Sequence, residues 1–122
     1  MTHTRTQVCL IEDHTDYRKT LQMAIRSQAD LCCDDSYSSI EACLSESSDS
    51  TMHTVILLDL GLPGMHGVDG IPLLKKQFAV AKIIVLTVYD NKPVVMQALA
   101  AGADGYLLKT DGLEAIMRGI RE

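Results

Sequence analysis

Apolar residues along this chain fall into short unbroken runs, Val8-Cys-Leu-Ile11, Val55-Ile-Leu-Leu58 and Ile83-Ile-Val-Leu86, each followed at once by polar or turn residues. A run of this length and polish is the pattern of a strand covered on both faces, as in a parallel sheet. The predicted strands are Gln7–Glu12, a poorer Leu31–Ser36, Val55–Leu58, Lys82–Thr87 and Gly105–Leu108. Between them the apolar spacing changes to a helical period. Thr15–Gln28 turns Leu21, Ala24 and Ile25 to one side, and Ser38–Glu46 carries Ile40, Cys43 and Leu44. Further helices are expected over Val68–Phe78 and Asn91–Ala101, the latter closed by Gly102 as a C-terminal cap. Asp111-Gly-Leu-Glu114 has the form of a capping box opening a last helix. Pro72 inside a helix would cost about 3 kcal/mol; with Asp69 as N-cap it falls in the first turn, where no N–H is needed. Ser45–Thr51 is a polar loop. Strands alternating with helices mean βαβ units, right-handed crossovers and a parallel sheet.

Totals narrow the picture. The 122 residues form one domain with a single core, and 47% hydrophobic with 22% charged residues is ordinary for a globular chain. A net charge of −5 argues against nucleic-acid binding by this domain itself. No apolar run approaches the ~20 residues of a membrane span. The polar start, Met1 to Thr6, is no signal peptide, so the cytoplasm is the expected compartment. Cys9, Cys32, Cys33 and Cys43 lack any metal-binding spacing and read as small packing residues in a reducing compartment. Neighbours Cys32 and Cys33 point to opposite faces of a strand, which disfavours a bridge. His3, His14, His53 and His66 are scattered, and His14 reads as an exposed helix-start residue.

In such a sheet the carboxyl ends of strands one, three, four and five meet on one rim. Glu12 and Asp13, Asp59, Thr87 and Lys109 stand at those four ends. Each alone has a plain account as a helix cap, a strand end or a solvated charge. Complementary chemistry at all four ends points to a site. Three clustered carboxylates repel unless a cation shares their space. Hard oxygen ligands with room for water suit Mg2+, and the Gly61 carbonyl can reach the same ion. A carboxylate such as Asp59 can attack phosphorus to give an acyl phosphate. Phosphoryl transfer then asks for in-line positioning and charge neutralisation, which Mg2+, the Lys109 ammonium and the Thr87 hydroxyl can supply.

Four motifs carry a resemblance: Glu12-Asp13, Leu58-Asp-Leu-Gly-Leu-Pro-Gly-Met65 around Asp59, Ile84-Val-Leu-Thr-Val-Tyr-Asp90 around Thr87, and Ala101-Gly-Ala-Asp-Gly-Tyr-Leu-Leu-Lys109. Through them the chain resembles, over its whole length, the receiver domain of bacterial two-component response regulators. The wording is most similar to the nitrate-regulator (NarL/FixJ) class. The resemblance implies a doubly wound (βα)5, flavodoxin-like three-layer α/β sandwich with strand order 2-1-3-4-5. It implies that Asp59 is the phospho-acceptor, that Asp13 and Asp59 bind Mg2+ directly and that Glu12 does so through water. Thr87 would be drawn toward the phosphoryl group, and Tyr106, at the aromatic switch position, would turn into the vacated space. The implied partners are a sensor histidine kinase and, through the face of the fourth helix, fifth strand and fifth helix, a second copy of the chain. Members of the class usually carry a C-terminal helix-turn-helix domain. The chain is therefore expected to be the N-terminal part of a longer regulator that reaches DNA through that domain. Such a domain signals; its own chemistry is limited to slow self-phosphorylation from small donors and slow self-dephosphorylation.

Three positions depart from the family pattern. His66 stands where Asp is frequent, Thr110 follows Lys109 where many members have proline, and Val88 follows Thr87 where a small residue is commoner. The branched Val88 would crowd the phosphoryl group or the inward rotamer of Tyr106, and Tyr89 would narrow access to Asp59. The alternative of another class is a Mg2+-dependent phosphohydrolase with Asp59 as nucleophile. Such enzymes want a second carboxylate two residues on, as acid and base; here that residue is Gly61. An inert binding module would not need the intact Asp13, Asp59, Thr87 and Lys109 set. A flavin binder would need a phosphate-cradling loop after strand one, where Glu12-Asp13 repels phosphate.

Overall fold

Five strands and five helices alternate in the computed structural model, which describes residues 6–46, 55–60, 67–88 and 92–121. In chain order they are β1 (Thr6–Ile11), α1 (Thr15–Arg26), β2 (Leu31–Tyr37), α2 (Ile40–Glu46), β3 (Val55–Asp59), α3 (Gly67–Gln77), β4 (Lys82–Thr87), α4 (Lys92–Ala101), β5 (Gly105–Leu108) and α5 (Leu113–Arg121). A one-turn 3-10 helix, Lys109–Asp111, joins β5 to α5. All strand pairs are parallel and the sheet order is β2-β1-β3-β4-β5, the doubly wound arrangement expected.

Alternation along the strands divides the core in two. Cys9, Ile11, Ile56, Leu58, Ile83 and Val85 face one way, against Ile40, Cys43, Ile71, Leu74 and Ala98 of α2, α3 and α4. Val8, Leu10, Val55, Leu57, Ile84 and Leu86 face the other, against α1 and α5 through Leu21, Ile25, Ile116, Met117 and Ile120. A strand covered on both faces has no polar side to show, which is why β1, β3 and β4 read as unbroken apolar runs. Each Leu or Ile buried in this way stabilises the fold by roughly 1.5–3 kcal/mol. At the edge, β2 carries one extra residue against β1 between Cys32 and Asp35.

Three expected helix ends can be compared with the structure. The α4 cap is as expected: Gly102 has φ 121°, its N–H donates to the Leu99 carbonyl (3.1 Å), and Ala103 N–H donates to Ala98 (3.0 Å). That is the paired bonding of a Schellman motif, which needs a left-handed residue. The α3 cap is not. The helix begins at Gly67, so Asp69 lies inside it and Pro72 is its sixth residue, leaving the Val68 carbonyl without its helical donor. Burial of Ile71, Leu74 and Phe78, with Val68 against the same cluster, sets the start of this helix and overrides the capping preference of Asp69. The α5 capping box is also displaced. Asp111 ends the 3-10 turn, and Gly112 at φ 91° precedes the helix and accepts the Ile116 N–H through its carbonyl (3.2 Å). Asn91 lies outside the described residues, as does most of the polar loop at Ser45–Thr51.

All four cysteines are thiols. Cys33 is buried and Cys32 half-buried, on opposite faces of β2 as expected. The Cys9 and Cys43 sulfurs lie 3.9 Å apart in the core. The contact with Cys43 and burial together hold the Cys9 thiol far above the ordinary range, so it stays protonated. No described helix is long and apolar enough to cross a membrane.

Candidate functional site

Register brings the site together. Asp59, the last residue of β3, pairs with Leu86, so Thr87 is the next residue along β4; Thr87 in turn pairs with Leu108, and Lys109 follows. Three neighbouring strands thus end within a residue of one another on one rim. Both Asp59 (8% exposed) and Thr87 (7%) are buried, although polar, because the sheet carries them to the edge of its own core. Glu12 follows β1 and is wholly buried; its N–H donates to the Tyr37 carbonyl at 2.9 Å. Buried carboxylates need partners, and Glu12 has them. One oxygen accepts from the Lys109 ammonium, the other from the His14 N–H at 3.1 Å, and the Arg18 guanidinium donates to its backbone carbonyl at 2.8 Å.

The Lys109 ammonium is shared: it also lies 3.6 Å from Asp59 Oδ2 and 4.6 Å from the centre of the Tyr17 ring. Glu12, Asp13 and Asp59 each present a carboxylate oxygen, all within 4.8 Å of one another. Hard anionic donors at that spacing, with Asp13 exposed to water, match what a small divalent cation such as Mg2+ requires. These groups open onto a pocket of about 400 Å³ lined also by Tyr17 and Val88. Val88 is half exposed and lines this pocket.

Of the residues expected from sequence, Glu12, Asp13, Asp59, Thr87 and Lys109 lie on this one rim. Tyr106 lies on β5 beside Val85 and faces outward, 44% exposed. His14 is the N-cap of α1, its Nδ1 accepting the Tyr17 N–H at 3.2 Å. Gly61, His66 and Tyr89 are outside the described residues. The peptide after Lys109 is trans, as are all described peptides. Without a proline there, Lys109 opens the 3-10 turn and its side chain crosses to α1.

Sequence reasoning did not single out Tyr17. The available signal was its place in the first turn after the acidic pair, where a helix start overlooks the rim. Its hydroxyl is buried and has no hydrogen-bond partner among the described residues. Burial, with the charges of Glu12 and Asp59 nearby, pushes its pKa up to about 12.

The fold and this rim define a signalling domain. The chain belongs to the response regulator receiver domain family, whose model matches residues 8–121. Among curated relatives, the nitrate/nitrite response regulator NarP of Escherichia coli (strain K12) is 35% identical over 119 residues, covering 94% of this chain and 53% of the relative. The nitrate/nitrite response regulator NarL of the same strain is 31% identical over 115 residues, with the same coverage. The chain spans about half the length of these relatives. Among solved structures, a Burkholderia pseudomallei response regulator with a phosphorylated aspartic acid, calcium ion and citrate is 27% identical. Its TM-score is 0.79, over 92% of this chain and 64% of that one. A CheY-like receiver domain protein from Methanospirillum hungatei JF-1 shares the fold at a TM-score of 0.85 and 19% identity, over 97% and 92% of the two chains. The protein is thus a NarL/NarP-like receiver domain of a two-component response regulator.

Proposed function

We propose that Asp59 accepts a phosphoryl group from a sensor histidine kinase in the cytoplasm, and that the domain is a switch set by this modification. A carboxylate oxygen of Asp59 attacks phosphorus; the new O–P bond forms as the phosphohistidine N–P bond breaks, and the imidazole leaves with the bonding pair. Lys109, 3.6 Å from Asp59, is placed to meet a phosphoryl oxygen as charge moves onto it. It is also paired with the buried Glu12. Thr87 offers a hydroxyl from the adjacent strand end. Mg2+, held by Asp13 and Asp59, by Glu12 through water and by the Gly61 carbonyl, would supply the remaining neutralisation of charge. The observation that carries this reading is the shared ammonium: a single cation bound to Glu12 and Asp59 inside a cluster of three carboxylates.

Thr87 and Tyr106 form the relay. Tyr106 faces outward; Thr87 moves toward the phosphoryl group and the Tyr106 ring turns inward in response. The signal then reaches the α4–β5–α5 face, through which a second copy can pair. The 122 residues act as the receiver of a longer regulator that contacts DNA through a further domain, a reading supported by relatives about twice this length. Incubation with acetyl phosphate and Mg2+, followed by intact mass and free-phosphate assays, tests the proposal. One phosphoryl group gained, and lost in Asp59→Asn, is the expected result. No gain, or fast multiple turnover as in a phosphohydrolase, would refute it.

A further inference from the structure

Lys109 has a four-carbon stem with little intrinsic preference for one position. Nothing in its backbone restrains the ammonium, because the side chain leaves the first residue of a 3-10 turn with a trans peptide on its C-terminal side. Its strongest partner, Glu12, lies deeper than the acceptor. Drawn only by charge, the ammonium would settle on Glu12 and away from Asp59. The ammonium also lies over the ring of Tyr17, 4.6 Å from its centre.

That ring is itself held. Tyr17 sits in the first turn of α1, its N–H donates to His14 Nδ1, and the side chain packs against the buried cluster beneath α1 and α5. Its hydroxyl, buried and without a hydrogen-bond partner among the described residues, contributes nothing to this anchoring. An apolar side chain would fill the same volume without leaving a buried hydroxyl unsatisfied. The phenol is therefore explained by its π-face and not by its polar atom. A cation over an aromatic face is bound most strongly when both are out of water, and the Lys109 side chain is only 13% exposed.

We propose that Tyr17 is a positioning residue whose ring face holds the Lys109 ammonium between Glu12 and Asp59, at the place where a phosphoryl oxygen arrives. The role rests on the phospho-acceptor reading of Asp59. It assigns to the first turn of α1 a part in setting the phosphorylation rate, and it replaces the backbone restraint that a Lys-Pro sequence supplies elsewhere. The hydroxyl is dispensable and the ring is not.

Two measurements on the 122-residue protein separate this role from simple packing. In proton–carbon-13 correlation spectra without Mg2+ or phosphodonor, the terminal methylene protons of Lys109 should be shifted upfield by the ring current, and should return to the ordinary lysine position in Tyr17→Leu. The rate of phosphorylation by acetyl phosphate should fall roughly tenfold in Tyr17→Leu and be restored in Tyr17→Phe, while Mg2+ affinity stays the same in all three. An unshifted Lys109 in the unmodified protein, a Leu variant as fast as Tyr, or a Phe variant as slow as Leu would each overturn the proposal. The first of these needs no phosphorylation. It therefore stands apart from a failure of the Asp59 reading, which would show as no phosphoryl gain, fast multiple turnover, or a gain that survives Asp59→Asn.

Discussion

Replacing Asp59 by Asn should stabilise the protein when no divalent cation is present. Asp59 is 8% exposed and lies in a cluster whose carboxylate oxygens are within 4.8 Å of one another. At that distance like charges repel by about 3.5 kcal/mol at an effective dielectric constant of ~20, and by about 1 kcal/mol where water intervenes. The buried Glu12 belongs near the first figure and the exposed Asp13 near the second. Against them stands attraction from Lys109 at 3.6 Å, about 4.6 kcal/mol on the same scale. The pairwise contributions nearly cancel. What is left is the cost of removing the Asp59 charge from water, which Asn does not bear. Relaxation and partial hydration reduce that cost, so a gain on the order of 1–2 kcal/mol is expected. Mg2+ should reverse the order: a ligand bound only to the folded state at a hundred times its Kd adds about 2.7 kcal/mol, and the variant has lost one of the carboxylates proposed to hold it. Urea unfolding followed by far-ultraviolet circular dichroism, in EDTA and in saturating Mg2+, measures all four stabilities. The unmodified protein should be less stable than Asp59→Asn in EDTA and at least as stable in Mg2+. A variant weaker than its parent in EDTA would show that the cluster is not strained, and an equal Mg2+ effect on both would show that Asp59 is not part of the cation site.

Two further outcomes follow from contacts away from the rim. A Cβ on Gly119 would come within 2.5 and 2.6 Å of the Leu107 methyl carbons. Gly119→Ala gains up to about 1 kcal/mol of helix propensity but forces Leu107 aside at ~1–3 kcal/mol. A net loss of about 1 kcal/mol is expected in urea, and it should turn into a gain when measured on a Leu107→Ala background. Asp104 accepts from Lys75 at 2.6 Å and from the Ile83 N–H at 2.8 Å. Desolvation pushes its carboxyl up, but Lys75, the Ile83 N–H and nearby Lys82 together hold it below its ordinary 3.8. The folded state therefore favours the ionised form, a stability that is complete above pH ~4 and fades as pH falls through the folded value. With the two side chains 30% and 40% exposed, Asp104→Asn should cost only about 0.5–1 kcal/mol at pH 7. The difference should vanish in acid, and a difference that persisted at pH 2 would refute the charge argument.

The unbroken runs at Val8–Ile11, Val55–Leu58 and Ile83–Leu86 were legible because burial on both faces leaves no alternation to misread. The rim chemistry was legible for a related reason. A carboxylate, hydroxyl or ammonium directly after such a run has nowhere to stand but the carboxyl edge of the sheet. Gly102 was legible because a left-handed cap selects glycine by its own backbone strain.

Other features are decided by contacts between distant segments. Where α3 starts is set by Ile71, Leu74 and Phe78 packing beneath the sheet, an energy larger than the preference of Asp69 for an N-cap. Where Lys109 reaches is set by Glu12 and Tyr17, more than 90 residues earlier in the chain. Sequence by itself determined the strands, their alternation with helices and the residues delivered to the rim, since each depends on a local pattern of polarity. Only the tertiary structure decided how far each helix runs and what holds the Lys109 ammonium at the rim, because those depend on which surfaces meet once the chain has closed.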